Sequence, residues 1–421
     1  MPDPPGPSRR WGAGLEEYER DRPGHLLRLR EQYGDVVAFG HRTTVVNGPA
    51  AAATVLRSDR SFAILGSFLG RRLTVEAARD RAQGRRHLNA GLRRTAVDGL
   101  AAAAEEAVLG ELARAVAASG PRSGFVDPLR PLERAVSAVV TGFAFGRDAG
   151  TAEASNVAGA TAGLLDALSA VFGNPFALPV ALPTPAHLRI RRRYQQLRSM
   201  VVPLVEQRVR ATASDDFAAV VTASASAAGL GVERIADLLI GALLAAYRVP
   251  AAAACWALLD LARNPLWSTR ALAEPSVLRA VLVESGRLHP PTWLLRRVST
   301  EPVRVGGYDF PAGQHFLVSP YVLHRDARSF PDPLRFEPGR WLGPAPAYGA
   351  LLTFGNGAHR CPGRDAGDVI LMSALRAVLR TYAVSDASSS VRLDARTTLV
   401  PSGLRLRLSP TIGSTGRGVG P

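Results

Sequence analysis

Alanine-rich segments with helical spacing run almost continuously through residues 49–264, and this stretch most restricts the fold that the 421-residue chain can adopt. After Pro290 the pattern changes to short strand-like pieces, such as residues 303–306 and 315–318, which Gly and Pro residues interrupt. The sequence therefore predicts a mostly α-helical body with a smaller β-rich region. We expect one domain over residues 14–409, between flexible segments at residues 1–13 and 410–421.

Local signals refine this prediction. Residues 25–34 have helical spacing and close on a glycine, and residues 36–40 and 43–48 are then typical of a hairpin. Residues 171–185 contain four prolines, which predicts a loop between two helices. The apolar stretch 235–262 contains Arg248, Pro250 and Asp260, so we expect a core helix there and no membrane anchor.

Charge and cysteine content limit the partners and the compartment. The formal net charge of +15 would favour nucleic acid as a partner, but all 51 basic residues are arginine, which indicates a GC-rich coding bias instead of a polybasic surface. The two cysteines, Cys255 and Cys361, provide no disulfide framework and no four-cysteine zinc site. The first residues have the pattern of neither a signal peptide nor a membrane anchor. We therefore expect a cytoplasmic protein that binds no nucleic acid.

The segment around Cys361 is the most informative one in the chain. It reads Thr-Phe-Gly-Asn-Gly-Ala-His-Arg-Cys-Pro-Gly over residues 353–363, and a helical pattern follows at residues 365–379. Glycines allow a tight turn that brings backbone N–H groups near the sulfur, and the helix directs the positive end of its dipole towards it. Both effects favour a thiolate, which could serve as a nucleophile with His359 as its base or as a metal ligand. A buried, inert cysteine is the alternative.

The pattern Phe354-x-x-Gly357-x-His359-x-Cys361-x-Gly363 resembles the haem-binding loop of the cytochrome P450 family, and the resemblance extends over residues 20–408. It implies haem b as the cofactor and the Cys361 thiolate as the iron ligand, which favours O–O bond cleavage. By position, His359 is similar to a residue that binds a haem propionate, and Phe354 to the aromatic residue that shields the sulfur. Gly355 and Gly363 would complete the loop against the cofactor.

Other segments resemble further motifs of the same family, in the same order. Glu284 and Arg287 match its E-x-x-R motif, and Arg340 matches the arginine that completes a structural Glu-Arg-Arg triad. Arg297 is similar to a propionate-binding arginine, although the adjacent Arg296 leaves the register open. Arg85 is a second candidate for a propionate. The resemblance assigns a structural role to the triad and cofactor contacts to Arg297 and Arg85.

The sequence departs from the family on the helix that should cross the distal face of the haem. An ungapped alignment puts Arg248 and Val249 where the family has an acid and a threonine that relay protons. Arginine is no proton donor at neutral pH, and valine has no hydroxyl. A monooxygenase could instead draw protons from ordered water or a substrate hydroxyl. Alternatively, Arg248 could anchor a substrate carboxylate in a peroxide-using enzyme, or it could simply extend to a propionate or a water channel.

The resemblance implies a monooxygenase that oxidises a hydrophobic small molecule of terpenoid or polyketide type in secondary metabolism. Ferredoxin and ferredoxin reductase would supply electrons, with peroxide as the alternative oxidant. Desaturation, rearrangement, assistance to a biosynthetic enzyme and a non-enzymatic haem-binding role also remain open. Cys255 is expected to serve packing only. Substrate contacts are expected from four segments, residues 62–73, 167–182, 244–251 and 292–295.

Overall fold

The computed structural model describes residues 3–7, 15–40, 42–58, 60–64, 75–95, 98–120, 124–146, 151–172, 182–210, 216–343 and 351–411. Its α-helices are α1 (Leu15–Arg20), α2 (Arg22–Tyr33), α3 (Pro49–Arg57), α4 (Val75–Arg94), α5 (Asp98–Ala118), α6 (Leu129–Phe145), α7 (Thr151–Phe172), α8 (Pro185–Arg210), α9 (Phe217–Ala227), α10 (Val232–Arg263), α11 (Pro265–Ala273), α12 (Pro275–Leu288), α13 (Pro320–Leu323) and α14 (Arg364–Thr381). Short 3-10 helices lie at Pro338–Trp341 and Gly357–His359.

The strands are short, and most of them follow the long helices in the chain. They are β1 (Val36–Gly40), β2 (Thr43–Val46), β3 (Phe62–Ile64), β4 (Phe125–Val126), β5 (Leu295–Ser299), β6 (Val303–Val305), β7 (Tyr308–Phe310), β8 (His315–Val318), β9 (Tyr382–Asp386), β10 (Arg392–Asp394), β11 (Val400–Ser402) and β12 (Leu406–Pro410). One sheet has the order β1-β2-β8-β5-β3 and another the order β4-β12-β9. The pairs β6-β7 and β10-β11 form separate hairpins. The predicted mostly α fold with a smaller β region is confirmed.

Helix α10 runs through the centre of the helical body, where it packs against α6, α8, α12 and α14. Its alanines and leucines give it a broad apolar surface, and residues along its whole length are buried. By length and composition alone α10 could cross a membrane, but half of its most apolar window is buried inside the protein. The prediction of a long core helix is confirmed. Cys255 lies on this helix and is fully buried, which raises the pKa of its thiol well above the ordinary value.

Several local predictions are also confirmed. Helix α2 ends at Tyr33, and Gly34 follows with a φ of 89°, a conformation that glycine adopts readily. Strands β1 and β2 then pair antiparallel as the expected hairpin.

Within the segment expected to be flexible, Pro5 accepts a hydrogen bond from the Ala38 N–H of β1, so residues 3–7 pack against the sheet. Residues 173–181 of the predicted proline-rich loop lie outside the described residues.

Candidate functional site

A cavity of about 2350 Å³ lies between α4, α7, α10, the segment after α12 and the Cys361 loop. Small-molecule sites usually measure roughly 300–1,000 Å³, so this cavity has room for a large cofactor and a second organic molecule. Leucine, valine and alanine side chains dominate its lining. On one wall lie the predicted cofactor residues of the cysteine loop, namely Phe354, Gly355, His359, Cys361 and Gly363.

The predicted substrate segments also contribute to this cavity where the structure describes them. The lining includes Phe62 to Ile64, residues 244–246 with 248–250, and residues 292–295. From α7 it includes Leu165, Leu168 and Ser169. Residues 65–73 and 173–181, the remaining parts of two predicted segments, lie outside the described residues. The sequence therefore predicted the walls of the cavity from elements that are far apart in the chain.

The turn before Cys361 depends on two glycines. Gly355 and Gly357 have φ values of 73° and 71°, a region that L-residues with a Cβ rarely adopt. The Asn356 side chain accepts a hydrogen bond of 2.7 Å from the Gly357 N–H, and the Cys361 N–H donates to the Phe354 carbonyl at 2.7 Å. Helix α14 then begins at Arg364. Together these contacts fold the loop back so that the Cys361 side chain opens onto the cavity.

The Gly357→Ala variant tests this turn. A Cβ at Gly357 would lie 2.4 Å from the Leu56 carbonyl oxygen, and the positive φ adds backbone strain of about 1–3 kcal/mol. We expect the free energy of unfolding to fall by at least that amount, as measured by urea denaturation. Gly363→Ala is the matched control, because Gly363 has a φ of −88° and a Cβ there meets no described atom within 4 Å. Equal losses in both variants would contradict this account of the turn.

The Cys361 thiol is not held as a thiolate by the loop itself. Burial raises the pKa of the thiol, and the Gly363 N–H and the Arg85 cation lower it only in part. The sequence-based expectation of a thiolate was therefore wrong for the protein without a bound metal. The desolvation of the sulfur raises the pKa by more than the backbone N–H and the nearby Arg85 cation lower it. A metal cation that replaces the proton would reverse this balance, since a coordinating thiol is deprotonated outright.

Arg85 and Arg297 lie close enough for their cations to oppose each other. Arg297 is 5% exposed, and its Nη1 donates to the Arg296 carbonyl at 2.9 Å. Its Nε finds no hydrogen-bond partner in the described part of the chain, and burial and the Arg85 cation lower the pKa of Arg297 to about 10. Arg85 donates to the Arg360 carbonyl, and burial lowers its pKa as well. Two desolvated cations that share no acidic side chain fit an anionic ligand such as a haem propionate.

This arrangement bears on the register at Arg296 and Arg297. The two residues lie on opposite faces of β5, with Arg296 exposed and Arg297 buried. Besides burial, repulsion by the Arg85 cation lowers the pKa of Arg297. Arg297 is therefore the arginine that lies near Arg85, whereas Arg296 contributes to the cavity lining, and a propionate contact of Arg297 stays a prediction.

The Arg297→Met variant should have opposite effects on the two forms of the protein. Without an anion nearby, the lowered pKa means that the buried cation opposes folding below pH 10, by about 3 kcal/mol. We therefore expect urea denaturation to show the cofactor-free variant to be more stable than the wild type, while haem titration shows about a ten- to hundredfold loss of haem affinity. Arg296→Met should change haem affinity little. A variant with lower stability and unchanged haem affinity would contradict the assignment.

The Glu284, Arg287 and Arg340 side chains form a fully connected buried network. Arg287 donates to both carboxylate oxygens of Glu284, from Nε at 2.8 Å and from Nη2 at 2.9 Å. Arg340 Nε donates to Glu284 Oε1 at 3.0 Å, and the Trp341 indole N–H donates to Oε2 at 2.9 Å. Glu284 and Arg287 have no exposed surface, and these donors lower the pKa of Glu284 against its burial. The triad inferred from sequence is confirmed, as a buried structure instead of a surface pair.

A buried histidine connects this triad to the cysteine loop, a connection that sequence reasoning missed. His324 donates from Nδ1 to the Arg287 carbonyl at 2.9 Å and accepts at Nε2 from the Leu352 N–H at 2.8 Å. Burial lowers the pKa of His324 to about 3, so the ring is neutral, as both contacts require. Leu352 lies two positions before Phe354. The triad therefore positions the start of the cysteine loop through His324.

On the opposite wall, α10 continues without a break through Pro250. Arg248 and Val249 line the cavity at the positions predicted for them. The Arg248 side chain is 13% exposed, and it donates from Nε to Glu133 at 2.7 Å and from Nη2 to Asp166 at 2.6 Å. Burial by itself would lower the pKa of Arg248, but these two carboxylates more than compensate and raise it. The predicted carboxylate anchor is thus already paired with two acids of the protein.

Sequence reasoning did not find the partners of Arg248. Glu133 lies on the buried face of α6, 1% exposed, and its second oxygen accepts from Arg130 at 2.9 Å. Asp166 follows two leucines on α7. A glutamate on an apolar helix face, such as Glu133, indicates that a cation lies opposite it, because unpaired buried carboxylates are rare. The sequence could not identify which of the many arginines supplied that cation.

The fold and the site together define a class of haem-thiolate protein. A cysteine just before a helix opens onto a large cavity, the half-buried Arg85 lies near the buried Arg297, and a buried Glu-Arg-Arg network supports the loop. In agreement, the family model described as Cytochrome P450 matches residues 2–406. The chain belongs to the cytochrome P450 family, whose cofactor is a haem iron.

Curated relatives are similar to part of this chain. It is 31% identical over 233 residues to cyclooctat-9-en-7-ol 5-monooxygenase of Streptomyces melanosporofaciens, and this alignment covers 50% of each chain. It is 30% identical over 253 residues to pentalenene oxygenase of Streptomyces avermitilis, with 54% of this chain and 56% of the relative covered. It is 28% identical over 230 residues to lanosterol 14-alpha demethylase of Bos taurus, with 49% and 46% covered. The chain thus spans about half the length of the curated relatives that it matches.

Proposed function

We propose that the protein is a monooxygenase that inserts an oxygen atom from dioxygen into a hydrophobic small molecule. The observation that carries this proposal is the position of the Cys361 side chain, which opens onto a large and mostly apolar cavity beside Arg85 and Arg297. Haem b, bound through Cys361, would supply the activation of dioxygen. The Cys361 sulfur would be its iron ligand, and thiolate ligation favours O–O bond cleavage.

The residues around the cofactor have separate roles in this proposal. Arg85, Arg297 and His359 would hold the propionates of the haem, because arginine guanidinium groups bind carboxylates through charge-assisted hydrogen bonds. Phe354 would shield the sulfur from water, and Gly355 and Gly363 would leave room for the ring. The backbone N–H of Gly363 and the Arg85 cation both stabilise negative charge on the sulfur. The buried triad and His324 keep the loop in position.

The proposed substrate is a terpenoid or a similarly apolar polyketide of secondary metabolism. The lining of the cavity supports this class, because most of its surface is apolar. The names of two Streptomyces relatives refer to cyclooctat-9-en-7-ol and pentalenene, which supports a terpenoid. A cytoplasmic location agrees with a small-molecule substrate of this kind.

Electrons are proposed to come from a ferredoxin and its reductase. Arg360 and Arg364, on either side of Cys361 and Pro362, are exposed, so an acidic ferredoxin would meet positive charge next to the cysteine loop. Protons would come from ordered water or a substrate hydroxyl, because α10 offers neither an acid nor a threonine at the usual positions. Peroxide in place of dioxygen is less favoured, because Glu133 and Asp166 already occupy the guanidinium that a carboxylate substrate would need.

Turnover with labelled dioxygen tests the proposal. The haem-loaded protein, a ferredoxin, its reductase and NADPH are incubated with saturated terpene hydrocarbons under isotopically labelled dioxygen. We expect products that each contain one labelled oxygen atom, and no product when hydrogen peroxide is the only oxidant. Unlabelled products, or turnover of fatty acids by peroxide alone, would contradict the proposal.

A further inference from the structure

We propose that Ser169 and Thr397 form a subsite that binds a neutral oxygen, a hydroxyl or a carbonyl, on an otherwise apolar substrate. The inference deepens the proposed function, and it rests on the cavity being the substrate site. Both residues line the cavity, Ser169 from α7 and Thr397 from the connection between β10 and β11. Their hydroxyl oxygens are 3.2 Å apart. Two hydroxyl groups from distant parts of the chain thus meet at the cavity wall, where Ser169 is half-buried and Thr397 is exposed.

The hydrogen-bond capacity of this pair supports a ligand. Arg248 Nη1 donates to Ser169 Oγ at 3.0 Å, which uses one acceptor position of the serine. The two hydroxyl groups bring two hydrogens, and only one of these can lie between their oxygens. In the part of the chain that the structure describes, no further group accepts the second hydrogen. The pair can therefore donate one hydrogen bond to a ligand oxygen, and Thr397 can accept one from a ligand hydroxyl.

The charges behind the pair favour a neutral group. Arg248 is balanced by Glu133 and Asp166, and Arg130 contacts both of these acids, so two cations face two carboxylates. A carboxylate ligand at Ser169 would have to approach Asp166 without gaining a free cation. A hydroxyl or a carbonyl meets no such opposition.

The ion pairs also hold the subsite in a fixed geometry. Arg248 contacts the buried Glu133 on α6 and the half-exposed Asp166 on α7, so its guanidinium cannot rotate away from Ser169 without breaking two ion pairs. The hydroxyl of Ser169 is thus positioned before a ligand arrives, which reduces the entropy lost on binding. Leu165 and Leu168 of α7 and Leu244 of α10 also line the cavity. Such a site would orient an apolar ring system by a single oxygen.

The subsite also indicates which classes of reaction must precede the one that this protein catalyses. A substrate with one oxygen on a hydrocarbon skeleton must come from an earlier step that introduced that oxygen. Two reaction classes can supply it, a cyclisation that ends with addition of water and an earlier oxidation of the hydrocarbon. The protein would then oxidise a second position of an alcohol or a ketone.

Ligand pairs with the same carbon skeleton test the subsite. Dissociation constants are measured by spectral titration of the haem-loaded protein with cyclododecane and cyclododecanol, cedrane and cedrol, and decalin and decalol. For at least one pair we expect the wild type to bind the alcohol about five- to tenfold more tightly than the hydrocarbon. Ser169→Ala and Thr397→Val should each remove most of this preference and change hydrocarbon affinity by less than about twofold.

Thr398→Val is the matched control, because Thr398 also lines the cavity, while the hydroxyl partner of Ser169 within the described residues is Thr397. This variant should keep the preference for the alcohol. The subsite is wrong if no pair shows the preference, or if the Ser169 and Thr397 variants weaken alcohol and hydrocarbon equally, as a purely structural role would predict. Either result leaves the proposed function standing when labelled oxygen still enters hydrocarbon products, so the two proposals can fail separately.

Discussion

The Cys361→Ser variant is expected to lose oxygen insertion, with turnover of hydrocarbons reduced at least about a hundredfold. A serine hydroxyl is a much weaker anionic ligand than a thiolate, and it cannot provide the electron donation that favours O–O bond cleavage. The turn itself should survive, because the loop contacts of residue 361 are made by its backbone N–H to the Phe354 carbonyl. The measurement is the rate of formation of labelled product with the same ferredoxin, reductase and NADPH.

Cys255→Ala provides the matched control for the loss of a cysteine. Cys255 is fully buried on α10 and has no role in the site, so its removal should affect stability slightly and leave the product unchanged. Urea denaturation of both variants shows whether a loss of turnover comes from unfolding or from the missing sulfur ligand. If Cys361→Ser kept wild-type turnover, Cys361 would not be the ligand on which the proposed function depends.

The Glu284→Ala variant is expected to lower the free energy of unfolding by about 3–5 kcal/mol. The substitution leaves the fully buried Arg287 without its acid, and it removes the acceptor of the Arg340 guanidinium and the Trp341 indole. Removing one partner of a buried pair is far more costly than the pair is worth as a whole, because an uncompensated charge stays in the protein interior. Urea denaturation of the haem-loaded protein measures the effect.

An exposed pair is the appropriate comparison for this effect. Glu16 and Arg20 are also joined by a hydrogen-bonded ion pair, but their side chains are 87% and 75% exposed. Glu16→Ala should therefore change stability by less than about 1 kcal/mol. Similar losses in the Glu284 and Glu16 variants would show that burial does not determine the strength of the triad.

The helical body and the cysteine loop could be predicted from the sequence because local patterns determine them. Alanine and leucine spacing was sufficient for α10, and the glycines at 355 and 357 were sufficient for a turn before Cys361. The triad needed the resemblance to a family, since the local spacing of Glu284 and Arg287 describes a weak surface pair equally well. Only the structure shows that both side chains are fully buried.

Other parts of the site depend on long-range contacts that no local pattern contains. Arg248 was identified as unusual from its position, but its partners come from α6 and α7, more than 80 residues away in the chain. The pKa of Cys361 was predicted in the wrong direction, because the loop sequence contains the favourable N–H group but not the surrounding protein that desolvates the sulfur. Burial by distant elements decides both cases.

The central claim is that the Cys361 sulfur binds the iron of a haem in this cavity. The most direct measurement is the carbon monoxide difference spectrum of the reduced, haem-loaded wild-type protein. Thiolate ligation predicts the red-shifted Soret band typical of haem-thiolate proteins, and the same band should be absent in Cys361→Ser. A wild-type spectrum with the Soret band of a histidine-ligated or thiol-free haem would contradict the account.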